Sequence, residues 1–182
     1  MLRLSGVEFE SMVDAPGVTA VLFFSGCRHH CPGCHNPETH NFDYGVELTD
    51  KEIDRINQEI DKRPFLGGLV LSGGDPMYSA TEILEALPKL HIPKGNLWCY
   101  TGFTWEELVQ VPEMCELAKR CSYIVDGLYD ERLRDATLCY RGSSHQRIWK
   151  NAGGDEDQWM WIDITDKLSP SDKGGRYDGS NH

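Results

Sequence analysis

Three cysteines packed into the short stretch Ser25-Gly26-Cys27-Arg28-His29-His30-Cys31-Pro32-Gly33-Cys34-His35-Asn36 constrain this chain more than any other feature. Thiols this close in a loop can converge on one inorganic centre, and thiolates are soft ligands suited to iron–sulfur clusters or zinc. A closed structural site takes four protein ligands, and the fourth is missing locally. An open coordination position is where substrate or cofactor chemistry takes place, as in catalytic zinc sites with three protein ligands. Two other readings stand beside it. One is zinc with His29, His30, His35 or His40 as fourth ligand; the other is a cluster closed by Cys99, Cys115, Cys121 or Cys139. Zinc sites usually show two separated ligand pairs, and the later cysteines read individually as buried apolar residues.

Seven cysteines are an odd number, and no charged segment followed by a long apolar stretch opens the sequence. Both points argue against a disulfide scaffold and for a reducing compartment, the cytoplasm. The apolar run Val18 to Phe24 is too short to span a bilayer, which needs about 20 residues, so no membrane association is expected. A length of 182 residues suits one domain. Lys and Arg number 18 against 29 Asp and Glu, a net charge of −11. Such a surface repels phosphate backbones, which disfavours direct nucleic-acid binding, and suits docking to a basic patch on a protein partner.

The segments Val18–Phe24, Gly68–Ser72, Asn96–Thr101 and Ser122–Asp126 are short and rich in apolar and aromatic residues, the pattern of buried parallel strands. Helices fall between them. Thr49 with Glu52 opens one running to about Lys62, Ser79 opens a second with Ile83, Leu84 and Leu87 on one face, and Thr104 with Glu107 opens a third. Alternation of this kind predicts an α/β fold with a parallel sheet. Residues 1–152 are taken as the domain. The polar, acidic stretch 153–182 is taken as a C-terminal tail, with Trp159 and Trp161 as candidate docking aromatics.

The second motif is Leu69-Val70-Leu71-Ser72-Gly73-Gly74-Asp75-Pro76, at the end of a predicted strand. Paired glycines permit positive φ and close backbone approach to a ligand. Following a cysteine loop by one βαβ step, this pattern resembles the radical S-adenosylmethionine superfamily. Further segments are similar to the activases of anaerobic, class III ribonucleotide reductases: Cys31-Pro-Gly-Cys34 with Asn36, Tyr100-Thr-Gly-Phe103, Val125-Asp-Gly127 and Arg141-Gly-Ser-Ser-His-Gln-Arg147. The likeness runs from about residue 10 to 151. His35 stands where these activases usually carry Tyr, and Asp14-Ala-Pro-Gly17 where Asp-Gly-Pro-Gly is common.

The resemblance implies a partial (β/α) barrel open on one side. It implies a [4Fe–4S] cluster on Cys27, Cys31 and Cys34, the fourth iron chelated by the amino and carboxylate groups of S-adenosylmethionine. Reductive cleavage would give a 5′-deoxyadenosyl radical that takes hydrogen from a glycine of an anaerobic ribonucleotide reductase, with a flavodoxin- or ferredoxin-type protein as electron donor. Gly33, Cys34, His35 and Asn36 would approach the cofactor, and Gly73, Gly74 and Asp75 its methionine end. Asp126 would bind the ribose or a cation, with helix N-capping as its other reading; loop capping is the other reading of Asn36. Arg141 and Arg147 are set against the partner or a carboxylate. The competing functions are activation of another glycyl-radical enzyme, small-molecule radical chemistry, and a zinc or electron-transfer module.

Overall fold

The computed structural model describes residues 1–154 and 159–168. Its strands are β1 (Arg3–Ser11), β2 (Thr19–Phe24), β3 (Val46–Glu47), β4 (Leu69–Gly73), β5 (Leu97–Tyr100), β6 (Tyr123–Asp126), β7 (Arg147–Asn151) and β8 (Trp161–Asp163). They form one sheet in the order β3-β1-β2-β4-β5-β6-β7-β8. The central four, β2, β4, β5 and β6, run parallel. Antiparallel pairs extend the sheet on both sides. Among the described residues the sheet does not close, and β3 and β8 are its edges.

The parallel strands are those the apolar segments predict, and side-chain alternation explains how they are buried. Ala20, Leu22, Phe24, Leu69, Leu71, Leu97, Cys99 and Ile124 point into a core shared with the helices. Val21, Val70, Trp98 and Val125 point the other way, into a smaller core with Tyr140, Ile148 and Ile164. The helices are α1 (Asp50–Asp61), α2 (Ala80–Ala86), α3 (Trp105–Leu108) and α4 (Pro112–Arg120). Helix α1 starts where the Thr49 side chain accepts from the Glu52 N–H, and buries Ile53, Ile56 and Ile60. Thr104 and Glu107 close a reciprocal capping box on α3. Ser79 makes no cap bond; α2 instead grows out of the 3₁₀ turn Pro76–Ser79.

Within 153–182, Trp161–Asp163 pairs with β7 and Ile164 is buried. The two aromatics read as docking elements lie against the domain. The Trp161 ring is 4.9 Å from that of Trp105, and Lys119 sits over Trp159. Residues 169–182 lie outside the described residues. No described helix is long and apolar enough to cross a membrane.

Candidate metal centre

Four loops leave the C-terminal ends of the four parallel strands, the rim where open α/β sheets and βα barrels carry their sites. They meet around a cavity of about 210 Å³. Cys27, Cys31 and Cys34 line it from the loop after β2, and Gly73 and Gly74 from the end of β4. Thr101 and Gly102 come from β5, and Gly127 and Tyr129 from β6. A second cavity of about 620 Å³ adjoins it on the sheet face away from the helices, walled by Phe23, Asp14 and Arg141 among others. His35, Asn36, Ser72, Tyr100 and Gly142 border both.

The cysteine loop is fastened from below. Gly26 N–H donates to Thr39 O at 2.7 Å, Gly74 N–H to Phe24 O at 2.8 Å, and Asp75 N–H to Gly26 O at 3.0 Å. A Cβ at Gly73 would lie 2.5 Å from the Phe24 backbone, and one at Gly74 would lie 2.7 Å from Gly26 O. The paired glycines are therefore what lets the end of β4 press against the cysteine loop. Gly33 has φ +75° in the tight turn between Cys31 and Cys34, where a side chain would strike Glu131.

The sulfurs sit in different surroundings. Burial pushes the Cys27 thiol up to about 11, against the opposing pull of the His29 backbone N–H beside it. Burial also raises Cys31, opposed by the Tyr129 backbone N–H. The histidines weighed as a fourth zinc ligand are otherwise engaged. His29 Nε2 is 2.7 Å from Asp75, His30 and His40 face each other through Nδ1 at 3.2 Å, and His35 packs on the Tyr129 ring. Among the described residues, no three Cys, His, Asp or Glu side chains gather around a single point as one ion would require.

A profile of the 4Fe-4S single cluster domain family matches residues 13–149. The anaerobic ribonucleoside-triphosphate reductase-activating protein of Enterobacteria phage T4 is 36% identical over 146 residues, 78% of this chain and 90% of its own length. The proteins of the same name from Salmonella typhi and Escherichia coli K12 are 35% and 34% identical over 142 residues, 75% of this chain and 91% of theirs. The chain belongs to the family of anaerobic ribonucleoside-triphosphate reductase-activating proteins.

The residues singled out in this family member fall into two groups. Cys27, Cys31, Cys34, His35, Asn36, Gly73 and Gly74 line the first cavity. The Asn36 side chain makes no cap bond to the following 3₁₀ turn. Asp75 and Asp126 are fully buried and already bonded. Asp75 accepts from Thr101, Gly102 and Met77 and is hydrogen-bonded to His29 Nε2. Asp126 accepts from the Trp105 N–H at 2.6 Å and from Arg147; it bonds the first N–H of α3, whose N-cap residue is Thr104. Arg147 also binds Glu106. Arg141 donates to the carbonyls of Ser144 and Gln146, while its Nε is buried with no partner among the described residues. Tyr129 was not legible as a site residue. The Gln146 side chain ties Gly127 O to the N–H groups of Gly142 and Ser143, and Ser143 holds Asp130; these long-range bonds put Tyr129 beside Cys31.

Proposed function

We propose that Cys27, Cys31 and Cys34 ligate three irons of a [4Fe–4S] cluster whose fourth iron takes S-adenosylmethionine, and that the chain generates a glycyl radical on an anaerobic ribonucleotide reductase. The observation that carries this reading is the meeting of the three-thiol loop and the Gly73-Gly74 loop at one cavity on the rim of the parallel strands. The donor set fits such a cluster. Three thiols share one wall, two have a backbone N–H against the sulfur, and such contacts tune cluster potentials. When bound, the cluster and S-adenosylmethionine supply the electron and the 5′-deoxyadenosyl radical that takes hydrogen from the target glycine.

The chain's own residues bind, orient and exclude water. The backbone of Gly73 and Gly74 faces the methionine end, and His35 and Asn36 the adenosine. Gly33 gives the ligand loop its tight turn. Arg141 Nε, on the wall of the larger cavity, is a donor left for a carboxylate or a ring nitrogen. Asp75 and Asp126 act through the loops they hold. The open sheet is read as a partial (β/α) barrel of the radical S-adenosylmethionine type. Its open side admits a loop of the reductase, which completes the wall and keeps water from the radical. A flavodoxin- or ferredoxin-type protein is the electron donor in this reading.

The test is anaerobic iron and sulfide reconstitution, followed by an assay for 5′-deoxyadenosine with dithionite as reductant. The expected result is cleavage by the reconstituted chain and none by Cys27→Ala, Cys31→Ala or Cys34→Ala. A fully loaded chain that leaves S-adenosylmethionine intact would refute the reading.

A further inference from the structure

Asp75 occupies the motif position from which a carboxylate would reach the cofactor's ammonium, yet both its oxygens are already bonded within the protein. The side chain is 1% exposed. Oδ2 accepts from His29 Nε2 at 2.7 Å, Thr101 Oγ1 at 3.0 Å and Gly102 N–H at 2.8 Å, and Oδ1 from Met77 N–H at 3.0 Å. An ionised carboxylate offers about four acceptor sites; three donors converge on Oδ2 and one holds Oδ1, so both oxygens are engaged. The backbone N–H donors keep the carboxylate an acceptor, which assigns the proton of the His29 contact to Nε2.

The His29 ring is held on its other sides as well. Phe103 lies 4.7 Å and Tyr78 5.1 Å from it, centroid to centroid. A Cβ on Gly102 would stand 2.6 Å from His29 Cδ2 and 2.8 Å from Nε2, so only glycine there admits the imidazole. The Thr-Gly-Phe segment, which the proposed reaction does not otherwise use, thus supplies a hydroxyl, an N–H, a missing side chain and a ring to one small receptor. What the receptor fixes is the residue two beyond Cys27, whose backbone N–H lies against the Cys27 sulfur.

We infer that Asp75 and the Thr101-Gly102-Phe103 turn form a receptor for the His29 side chain, and that His29 is a positioning residue for the Cys27 sulfur. The inference rests on the ligand role proposed for Cys27. The carboxylate of the Gly-Gly-Asp loop acts on the cysteine loop; the cofactor's ammonium is left to backbone carbonyls. The imidazole adds a side-chain link to the backbone bonds that already join the two loops, so the cluster's environment and the cofactor's seat are set together.

Four full-length variants test this: His29→Phe, which keeps a ring without the donor; His29→Gln, which keeps a donor near Nε2; Asp75→Asn; and the double variant Asp75→Asn/His29→Phe. In the unloaded wild-type chain, long-range ¹H–¹⁵N NMR should show His29 protonated at Nε2, with that proton exchanging at least roughly tenfold more slowly than in Asp75→Asn, as expected for a bond to a charged acceptor. After reconstitution, His29→Phe and Asp75→Asn should shift the reduced cluster's electron paramagnetic resonance signature alike. Both should weaken S-adenosylmethionine binding in equilibrium dialysis by a similar factor, roughly tenfold. The double variant should be no worse than either single one, and His29→Gln should restore both readouts. Should His29→Phe fail to fold, Gly102→Ala, whose methyl displaces the imidazole, replaces it. Asp75→Asn abolishing cofactor binding while His29→Phe leaves binding and signature unchanged would overturn the inference and return Asp75 to the ammonium. A wild-type chain that binds no S-adenosylmethionine would count against the proposed function instead, since the NMR exchange reads the His29–Asp75 pair without the cofactor.

Discussion

At the scale of single residues, the glycines of the Gly-Gly-Asp loop answer to the cysteine loop before they answer to any ligand. From sequence, a side chain at Gly74 is expected to intrude on the cofactor and spare the cluster. The structure fills that space with Gly26 O at 2.7 Å and Thr39 O at 2.9 Å. Gly74→Val is therefore expected to push on the ligand loop and lower iron retained per chain after reconstitution, as well as cofactor affinity. Full iron content with weakened affinity alone would show that the cofactor, and not the loop, owns the space. The thiols make a second residue-scale case. Burial holds Cys27 protonated up to about 11 in the unloaded chain, so its thiolate fraction, and its alkylation by iodoacetamide, should rise with a midpoint near that pH. Because a raised thiol pKa favours the folded chain only while the group keeps its proton, that contribution is lost as pH climbs from the ordinary 9.0 towards 11. An alkylation midpoint at or below 9.0 would place Cys27 in a more open setting. The identity of the important carboxylates, Asp75 and Asp126, was legible in the sequence; their partners were not. His29 lies 46 residues from Asp75 and Arg147 lies 21 from Asp126, and no local pattern encodes such pairings.

At the scale of elements, local chemistry decided what could be read. The parallel strands are apolar on both faces and announce themselves; α1 and α3 carry side-chain caps at Thr49 and Thr104. The elements that sequence did not yield lack those marks. Strand β1 mixes Arg, Ser, Gly and Glu among its apolar positions, and β8 has three residues. Helix α4 begins at Pro112 with no side-chain cap. Strand β7 starts at the last residue of the Arg141–Arg147 motif and runs on to Asn151. Its Arg147 joins β6 to α3 through Asp126 and Glu106. Arg147→Met would leave the Asp126 carboxylate buried, keeping only the Trp105 N–H. It should cost about 2–3 kcal/mol in urea unfolding of the unloaded chain, somewhat below the range for fully buried pairs because Arg147 is partly solvated. Iron content should stay unchanged. A loss of iron without a loss of stability would move Arg147 into the site. The four later cysteines belong to this scale too. Cys99, Cys121 and Cys139 are buried and Cys115 half-buried, and none borders either cavity among the described residues. Alanine at each should leave the iron–sulfur chromophore in place.

At the scale of the whole molecule, an eight-stranded sheet that stops short of closure keeps helices on one face and leaves two joined cavities on the rim and the other face. On the proposed function, the open side of the sheet is where the reductase would dock and keep water from the radical. Met12 and Val13, 61% and 76% exposed, stand on the rim of the larger cavity and are apolar groups a partner would cover. The measurement that bears most directly on the central claim mixes the reduced, reconstituted chain with S-adenosylmethionine and the anaerobic ribonucleotide reductase of the same genome. The expected result is a glycyl doublet in the electron paramagnetic resonance spectrum and the onset of deoxynucleotide synthesis, both absent with Cys31→Ala. Steady production of 5′-deoxyadenosine with no glycyl signal on that reductase would contradict it.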